Sequence, residues 1–217
     1  MEGEVLSLAY GGYGVIKKGK EVFFISGALP KEIVEFDVDF KRKGINFGHT
    51  IRVIKISEFR VEPKCNFFLI CGGCNFQNLA YREQLIEKEK ILKEVLKKIG
   101  KLEGEFKEPI FSKEYGYRSK VQFEVNEKGK VCFFKRSSNA LIEIDQCPIL
   151  SKPLELLLKR IYKYEVSFKE TKNLTFYLSK SIIGRIETGK ENILRYWRIL
   201  KKIGLKGLWI APKNGFG

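Results

Sequence analysis

A Cys-x-x-Cys turn that contains two glycines, Cys71-Gly72-Gly73-Cys74, constrains this chain of 217 residues more than any other local feature. Such a turn directs two thiolates at one metal or cluster, because its amide groups curl toward the sulfurs and glycine permits a close backbone approach. Cys65 lies near enough in sequence to reach the same centre across a short loop. A fourth ligand has to come from a distant segment, so the fold must bring two remote parts of the chain together.

Two cysteines are candidates for the fourth ligand. Cys147 precedes Pro148 at the end of a predicted sheet, where its side chain can leave the sheet, and a Cys-Pro pair also ends the ligand run of bacterial ferredoxins. Cys132 lies within a predicted strand, where the alternation of side chains makes it a small apolar filler. We therefore favour Cys147.

Three kinds of site remain compatible with the spacing alone. Four thiolates can bind zinc, although zinc ribbons usually pair two Cys-x-x-Cys turns and this chain has one. A [4Fe–4S] cluster is larger and suits the wide spacing better. A redox Cys-x-x-Cys is the third option, but no βαβ pattern surrounds it.

The charge balance indicates a polyanionic partner. There are 41 Lys and Arg against 26 Asp and Glu, which gives a formal net charge of +15. A Lys/Glu-rich surface of the kind found in heat-adapted proteins explains high charge of both signs but not the imbalance, so nucleic acid is favoured. No apolar run is long enough to span a membrane and the N-terminus lacks signal-peptide features, so we expect a cytoplasmic protein that does not bind membranes.

Residues 1–58 predict a small five-stranded, antiparallel barrel of OB-like type. Runs rich in β-branched and aromatic residues alternate with glycine turns at residues 5–9, 14–17, 21–26, 33–40 and 49–56. Gly11-Gly12-Tyr13-Gly14 is read as a tight hairpin rather than a phosphate loop, because no helix follows it. Barrels of this type bind nucleic acid by stacking and cationic contacts; the candidate residues are Tyr10, Tyr13, Phe47, Lys41 and Arg42.

Residues 59–217 predict a second domain of mixed α/β type, which makes the chain an α+β protein. An apolar stripe predicts a helix over residues 81–99, with Tyr81, Leu85, Leu92, Leu96 and Ile99 in the core. An antiparallel meander is predicted over residues 117–147 and a hairpin over 174–179 and 182–188. Further helices are predicted at residues 151–164 and 191–203, and a last strand at 208–210.

Four segments, in this order, resemble the iron–sulfur branch of the RNA (uracil-5-)-methyltransferases. Residues 1–58 look like the TRAM barrel of that family, and the run from Cys65 through Cys71-Gly72-Gly73-Cys74 to Lys88 is similar to its cysteine signature. Tyr115-Gly116-Tyr117-Arg118-Ser119-Lys120-Val121 resembles its central Tyr-Arg motif, and residues 144–150 resemble the segment with the fourth ligand. The resemblance covers nearly the whole chain.

The resemblance implies a [4Fe–4S] cluster held by Cys65, Cys71, Cys74 and Cys147. It also implies that the complete enzyme methylates C5 of a uridine in ribosomal or transfer RNA with S-adenosylmethionine. The Tyr-Arg motif and the charge together make Arg118 and Lys120 candidate RNA contacts. The alternative for Arg118 is a cross-strand ion pair with a carboxylate such as Glu143.

In that family the nucleophilic cysteine, the carboxylate and the cofactor site all lie in a C-terminal Rossmann-like domain, which we expect to be absent from this chain. Cys132 lies in the wrong segment to replace the nucleophile, so no catalytic residue is assigned. Two interpretations follow: part of a methyltransferase whose catalytic domain is missing or separate, or a stand-alone RNA-binding iron–sulfur module without catalysis.

Overall fold

The computed structural model describes residues 1–169, 171–188 and 193–212. It has two mixed β-sheets with helices, so the predicted α+β class is confirmed. Two compact units divide the chain, Met1–Leu69 with Cys74–Phe111 and Ile70–Gly73 with Ser112–Gly217. The predicted domains, residues 1–58 and 59–217, stay a prediction. In the described part of the chain, no helix is long and apolar enough to cross a membrane.

The first unit contains a sheet of six strands. They are β1 (Glu2–Glu4), β2 (Ser7–Ala9), β3 (Tyr13–Lys18), β4 (Glu21–Ser26), β5 (Ile33–Arg42) and β6 (Ile45–Lys55). Their order is β1-β5-β6-β4-β3-β2. The β4–β6 pair is parallel, so the prediction of a wholly antiparallel sheet is wrong at this pair. The predicted hairpin at Gly11-Gly12 is confirmed, because it joins the antiparallel strands β2 and β3.

The two edges of this sheet meet at Val5 and Leu6. The Val5 amide donates to the carbonyl of Glu32 at 2.9 Å, and the Leu6 amide donates to the carbonyl of Val15 at the same distance. The first stretch of chain therefore bends at this point: β1 pairs with β5 and β2 pairs with β3. This bend is why the structure has two short strands where the sequence predicted one. Inward side chains form the core; they are Val5, Ile16, Phe23, Ile25, Ala28, Val34 and Phe36.

Helix α1 (Tyr81–Val95) belongs to the first unit and follows the cysteine segment, which we define as residues 65–74. A π-helical turn, Leu96–Gly100, continues it, and Lys101 in the left-handed conformation ends it. Ile91 packs against a small cluster of Leu8, Leu29 and Leu79. The predicted core stripe is not buried: Leu92 is 48% and Ile99 79% exposed, and Tyr81, Leu85 and Leu96 are half-buried.

The second unit contains another six-stranded sheet. Its strands are β7 (Lys120–Val125), β8 (Val131–Phe134), β9 (Leu141–Glu143), β10 (Asn173–Leu178), β11 (Ile182–Thr188) and β12 (Gly207–Pro212). Their order is β12-β11-β10-β7-β8-β9, with only the β11–β12 pair parallel among these strands. The predicted meander, β7 to β9, and the predicted hairpin, β10 to β11, are both confirmed.

Two helices supply much of the core of this unit. Helix α2 (Lys152–Lys163) has Pro153 in its first turn, as predicted, and buries one face through Leu154, Leu157, Leu158 and Ile161. Helix α3 spans Ile193–Lys202, and the start predicted for it at residues 191 and 192 lies outside the described residues. The ring of Tyr196 on α3 stacks on Phe168 at 5.6 Å between ring centres.

Candidate nucleic-acid interface and metal site

Two glycine turns of the first sheet lie against Leu69 and Asn75, which flank residues 70–74 of the cysteine segment. Gly27, with a φ of +83°, packs so tightly that an added Cβ would lie 2.9 Å from Leu69, just before Ile70-Cys71. Gly12, with a φ of +73°, lies against Asn75, and an added Cβ would meet the Asn75 carbonyl oxygen at 2.8 Å. At Gly12, which the sequence marked as a turn residue, the lack of a Cβ therefore permits a close approach of two backbones, whereas Gly27 makes room for the Leu69 side chain.

A buried carboxylate fixes the chain that leads into this segment. Glu32 is 0% exposed and accepts hydrogen bonds from Arg60 Nε at 2.6 Å and Arg60 Nη2 at 2.8 Å. It also accepts from the amides of Leu29 at 2.9 Å and Ser57 at 3.3 Å. Arg60 Nη2 donates further to the Gly27 carbonyl at 2.6 Å, and Asn78 Nδ2 donates to the same oxygen at 3.0 Å. Sequence reasoning missed this Glu32–Arg60 pair, since the residues are distant in sequence.

The middle of the cysteine segment belongs to the second unit. Cys71 forms an antiparallel bridge with Lys135, just after β8. The Gly72 amide donates to the Phe134 carbonyl at 3.0 Å, and the Arg136 amide donates to the Ile70 carbonyl at 2.8 Å. The Gly73 amide points at the Cys71 sulfur at 3.4 Å. An N–H group directed at sulfur is the arrangement that the Cys-x-x-Cys turn predicted.

Each unit contains two of the four predicted ligands. Cys65 and Cys74 belong to the first unit, and Cys71 and Cys147 to the second. Burial raises the pKa of the Cys65 thiol above its ordinary value, and the neighbouring Cys74 raises it further. Over the described residues, no group of three or more His, Cys, Asp or Glu side chains is placed to hold a metal ion. The convergence of all four cysteines stays a prediction.

Cys147 and Cys132 lie in different settings. Cys147 is 8% exposed and occupies a turn between β9 and α2, where its carbonyl accepts from the Leu150 amide at 3.0 Å. Cys132 is 0% exposed within β8, and its thiol donates to the Lys130 carbonyl at 3.4 Å. Burial raises the pKa of the Cys132 thiol, and the charge of Glu143 raises it further. These surroundings agree with a filler role for Cys132.

The Tyr-Arg segment lies directly on the Cys147 turn. The Arg118 amide donates to the Ile149 carbonyl at 2.8 Å, and the Arg118 carbonyl accepts from the Ser151 amide at 2.9 Å. Glu143 instead accepts from Asn126 Nδ2 at 2.9 Å. No ion pair between Arg118 and Glu143 occurs among the described residues, so the structural alternative for Arg118 is not supported. Lys120 begins β7 and lies over the Tyr177 ring, 5.2 Å from its centre.

Four aromatic rings form a row on the outer face of the first sheet. Phe40 stacks on Phe47 with ring centres 5.0 Å apart, and Phe47 contacts the edge of Phe24 at 5.5 Å. Tyr13 lies 5.6 Å from Phe47. We call Tyr13, Phe24, Phe40 and Phe47 the aromatic row. The sequence singled out Tyr13 and Phe47 but missed Phe24 and Phe40. Strand alternation was a usable signal for Phe24, whereas Phe40 reaches this face only through the register shift after Val38 in β5.

The other predicted nucleic-acid contacts differ in whether they share a sheet face with the aromatic row. Arg42 lies two positions after Phe40 on β5, so both side chains project from the same face. Lys41 lies between them and projects from the opposite face, and both cations are exposed. Tyr10 is 82% exposed on the β2–β3 hairpin. The lone histidine, His49, is exposed and bonds to Asp39 at 2.8 Å.

Gln77 is a further residue that sequence reasoning missed. It lies three positions after Cys74 and is 7% exposed, yet neither its Nε2 nor its Oε1 has a hydrogen-bond partner in the described part of the chain. Leaving a buried amide unpaired costs about 1–3 kcal/mol.

Comparison with curated proteins finds relatives that modify RNA. The chain is 32% identical over 176 residues to a 23S rRNA (uracil(1939)-C(5))-methyltransferase RlmD of Vibrio campbellii, which covers 79% of this chain and 40% of that protein. It is 29% identical over 211 residues to the RlmD of Neisseria lactamica, covering 89% of this chain and 46% of the relative. An uncharacterized RNA methyltransferase of Aquifex aeolicus is 33% identical over 162 residues, 72% of this chain and 37% of its own. The chain thus spans less than half the length of these relatives.

Comparison with solved structures agrees at the level of the fold. The crystal structure of Pyrococcus abyssi tRNA (uracil-54, C5)-methyltransferase in complex with S-adenosyl-L-homocysteine matches with a TM-score of 0.62 at 19% identity. The match covers 92% of this chain and 48% of that one. No family model matches the chain. The relatives are RNA uracil-C5-methyltransferases, the family to which the sequence motifs pointed, while the solved structure shows the shared fold.

Proposed function

We propose that this chain is the RNA-binding and iron–sulfur portion of an S-adenosylmethionine-dependent RNA (uracil-5-)-methyltransferase. The observation that carries the proposal is the 32% identity, over 79% of the chain, to a 23S rRNA (uracil(1939)-C(5))-methyltransferase. The chain matches less than half of each relative. We therefore propose methyl transfer as the activity of a complete enzyme and not of this portion alone. Ribosomal or transfer RNA is the proposed substrate, as the names of the relatives and of the structural neighbour suggest. The cytoplasmic location stays a prediction.

The proposed cofactor of this portion is a [4Fe–4S] cluster held by Cys65, Cys71, Cys74 and Cys147. Three observations support the fit: Cys65 and Cys74 interact electrostatically, the Gly73 amide is directed at the Cys71 sulfur, and Gln77 has an unpaired buried amide nearby in sequence. Hydrogen bonds to the sulfurs are a usual feature of such sites. When bound, the cluster would cross-link the cysteine segment to the Cys147 turn.

Iron content after anaerobic reconstitution tests the ligand set. We expect about four irons per chain with the broad visible absorption of an iron–sulfur protein. Cys147→Ser should lower the iron content and bleach the spectrum, because it removes a ligand. Cys132→Ser is the matched control, a buried cysteine of the same unit, and should retain the iron. Equal iron loss in both variants, or one zinc and no iron in the parent chain, would contradict the proposed cluster.

The proposed RNA contacts combine aromatic and cationic groups. The aromatic row offers partly exposed rings on the outer face of the first sheet, with Arg42 on the same face. Single-stranded nucleic acid binds such surfaces by stacking its bases on rings while cations follow its phosphates. In the second unit, Arg118 is held on the Cys147 turn by its backbone, which leaves its guanidinium as the proposed RNA contact.

Binding titrations with a structured, uridine-containing RNA test this part of the proposal. Arg118→Ala should weaken binding by about 1 kcal/mol or more, since a charge-assisted hydrogen bond is lost. Arg198→Ala on α3 is the matched control, because it removes the same charge from an exposed position of the same unit. Equal affinities of the two variants would mean that Arg118 contributes only net charge.

A methyl-transfer assay distinguishes part of an enzyme from a stand-alone binding module. The assay is run on this chain and on the chain extended by the reading frame that continues after Gly217.

A further inference from the structure

The solvent face of the second sheet carries a second group of aromatic and cationic side chains. Lys120 on β7 pairs with Tyr177 on β10, which pairs in turn with Ile183 on β11. One row further along, Arg185 on β11 pairs with Trp209 on β12. Since side chains two apart on a strand share a face, these five residues project from one side of the sheet. We call Lys120, Tyr177, Ile183, Arg185 and Trp209 the outer patch.

The outer patch is exposed, while the opposite side of the same strands is covered. Trp209 is 67%, Ile183 44% and Tyr177 39% exposed. Single exposed apolar side chains are common on protein surfaces, but a contiguous group of them, as on this sheet face, marks a binding surface. On the opposite side, Phe123 and Phe176 are at most 1% exposed. The sheet is therefore well packed on one face, and the outer patch is exposed because it lies on the other face.

Each aromatic ring of the outer patch has a cation beside it. Lys120 Nζ lies 5.2 Å from the centre of the Tyr177 ring, and the Arg185 guanidinium carbon lies 5.6 Å from that of Trp209. Arg185 Nε is buried and has no hydrogen-bond acceptor within the described residues. A donor that is already desolvated and lacks an acceptor favours an anionic ligand, because the cost of removing its water has been met in the folded chain.

Positive and negative side chains lie at opposite ends of this sheet face. Lys180, in the β10–β11 turn, and Lys206, before β12, are exposed at the end of the sheet where Tyr177 and Ile183 lie. The acidic residues of this face, Glu124 and Glu187, lie toward the other end of their strands. The cationic end thus coincides with the exposed Tyr177 ring, and the surface complements a polyanion that also offers flat, stackable groups.

We propose that the outer patch is a second binding surface for single-stranded RNA, with bases stacked on Tyr177 and Trp209 and phosphates contacted by Lys120 and Arg185. Rings interleaved with cations on an open sheet are suited to unpaired nucleotides, because every base has a stackable face. This inference rests on the proposed function and extends it to the open face of the second sheet, of which the predicted contact Lys120 is a part. A protein partner is less well matched, since two of the five side chains would be buried cations without acidic partners.

Tryptophan fluorescence tests the contact directly. The chain has two tryptophans, so Trp197→Phe leaves Trp209 as the single reporter. A labelled oligouridine of roughly 16 nucleotides, which matches the longer site sizes of stacking platforms, is titrated while its anisotropy and the Trp209 emission are recorded together. We expect the emission to be quenched along the same binding curve as the anisotropy.

Two tyrosine variants supply the matched comparison in that background. Tyr177→Ala should weaken oligouridine binding roughly fivefold or more, the effect of losing one stacked base. Tyr164→Ala is the control: Tyr164 is also exposed and also has a lysine beside its ring, but it ends α2. Circular dichroism spectra of both variants should match the parent, so that weaker binding is not a folding effect.

The outcomes separate this inference from the proposed function. RNA binding without Trp209 quenching, and with equal affinities for the two tyrosine variants, would overturn the outer patch and leave RNA binding to the other surfaces. No rise in anisotropy with either oligouridine or structured RNA would overturn the proposed function, and the outer patch with it. Quenching together with a selective Tyr177→Ala defect would support both.

Discussion

Glu32 shows how a single residue positions the candidate site. Its carboxylate is fully buried and is neutralised by Arg60, while backbone amides from two separate segments satisfy its remaining lone pairs. A buried charge pair adds little stability in itself, but removing one partner leaves an uncompensated charge. The pair therefore acts as a constraint: it joins the turn after β4 to the chain that enters the cysteine segment.

Replacing Arg60 should destabilise the first unit strongly. We expect Arg60→Leu to lower the unfolding free energy by about 3 kcal/mol or more, because the Glu32 carboxylate stays buried without its cation. Arg52→Leu, which breaks the exposed Arg52–Glu35 pair at 3.1 Å, should cost at most about 1 kcal/mol. Urea unfolding followed by circular dichroism measures both. Similar midpoints for the two variants would show that the buried pair is not a special constraint.

At the scale of elements, the β2–β3 hairpin does more than connect two strands. Its Gly12 lies in the left-handed region and also touches the backbone of Asn75, the residue after Cys74. For helix α1, the burial predicted from the sequence differs from the burial in the structure. Its apolar stripe was predicted to lie in the core, but Gln84 and Glu87 are buried while Leu92 is exposed. The side chain of α1 that packs against the Leu8, Leu29 and Leu79 cluster is Ile91, which was not in the predicted stripe.

Two glycine variants separate backbone strain from contact with the cysteine segment. Gly12→Ala and Gly19→Ala both place a Cβ at positive φ, which costs about 1 kcal/mol or more. Only at Gly12 does the Cβ meet Asn75; at Gly19 nothing lies within 4 Å. Gly12→Ala should therefore be the less stable variant and, if the cluster is present, retain less iron. Equal stability and equal iron content would rule out a positioning role for the hairpin.

At the scale of the whole molecule, the formal net charge of +15 dominates the electrostatics. A charge of this size attracts RNA over long distances and is screened by salt. The two proposed surfaces, the aromatic row and the outer patch, both add base stacking on aromatic rings to this electrostatic attraction. Stacking is less sensitive to salt than phosphate contact, so the two contributions can be separated.

Affinity for single-stranded RNA should fall steeply as salt rises. The logarithm of the binding constant is expected to decline with the logarithm of salt concentration by about 0.7 per phosphate contact. Lys120→Gln should reduce this slope by roughly one contact, whereas Tyr177→Ala should lower the affinity and leave the slope unchanged. Titrations at several salt concentrations give both quantities. A slope near zero for the parent chain would exclude phosphate contact as the source of binding.

Local signals in the sequence were sufficient for most elements. The hairpins, the meander from β7 to β9, and α2 with its first-turn proline follow from residue alternation, glycine turns and helical periodicity, which act over a few neighbouring residues. The cysteine signature and the order of the four motifs were likewise legible, and the relatives support the family that they indicate. Two of the four rings of the aromatic row were found in the same way.

The sequence by itself therefore determined the α+β class, most elements and the family resemblance, because these depend on local patterns. Only the tertiary structure decided the parallel β4–β6 pair, the bent first strand, the Glu32–Arg60 pair and the outer patch. Each of these depends on which distant segments become neighbours. That choice follows from burying the apolar faces of whole sheets and helices together, a sum over many weak contacts that no short stretch of sequence displays.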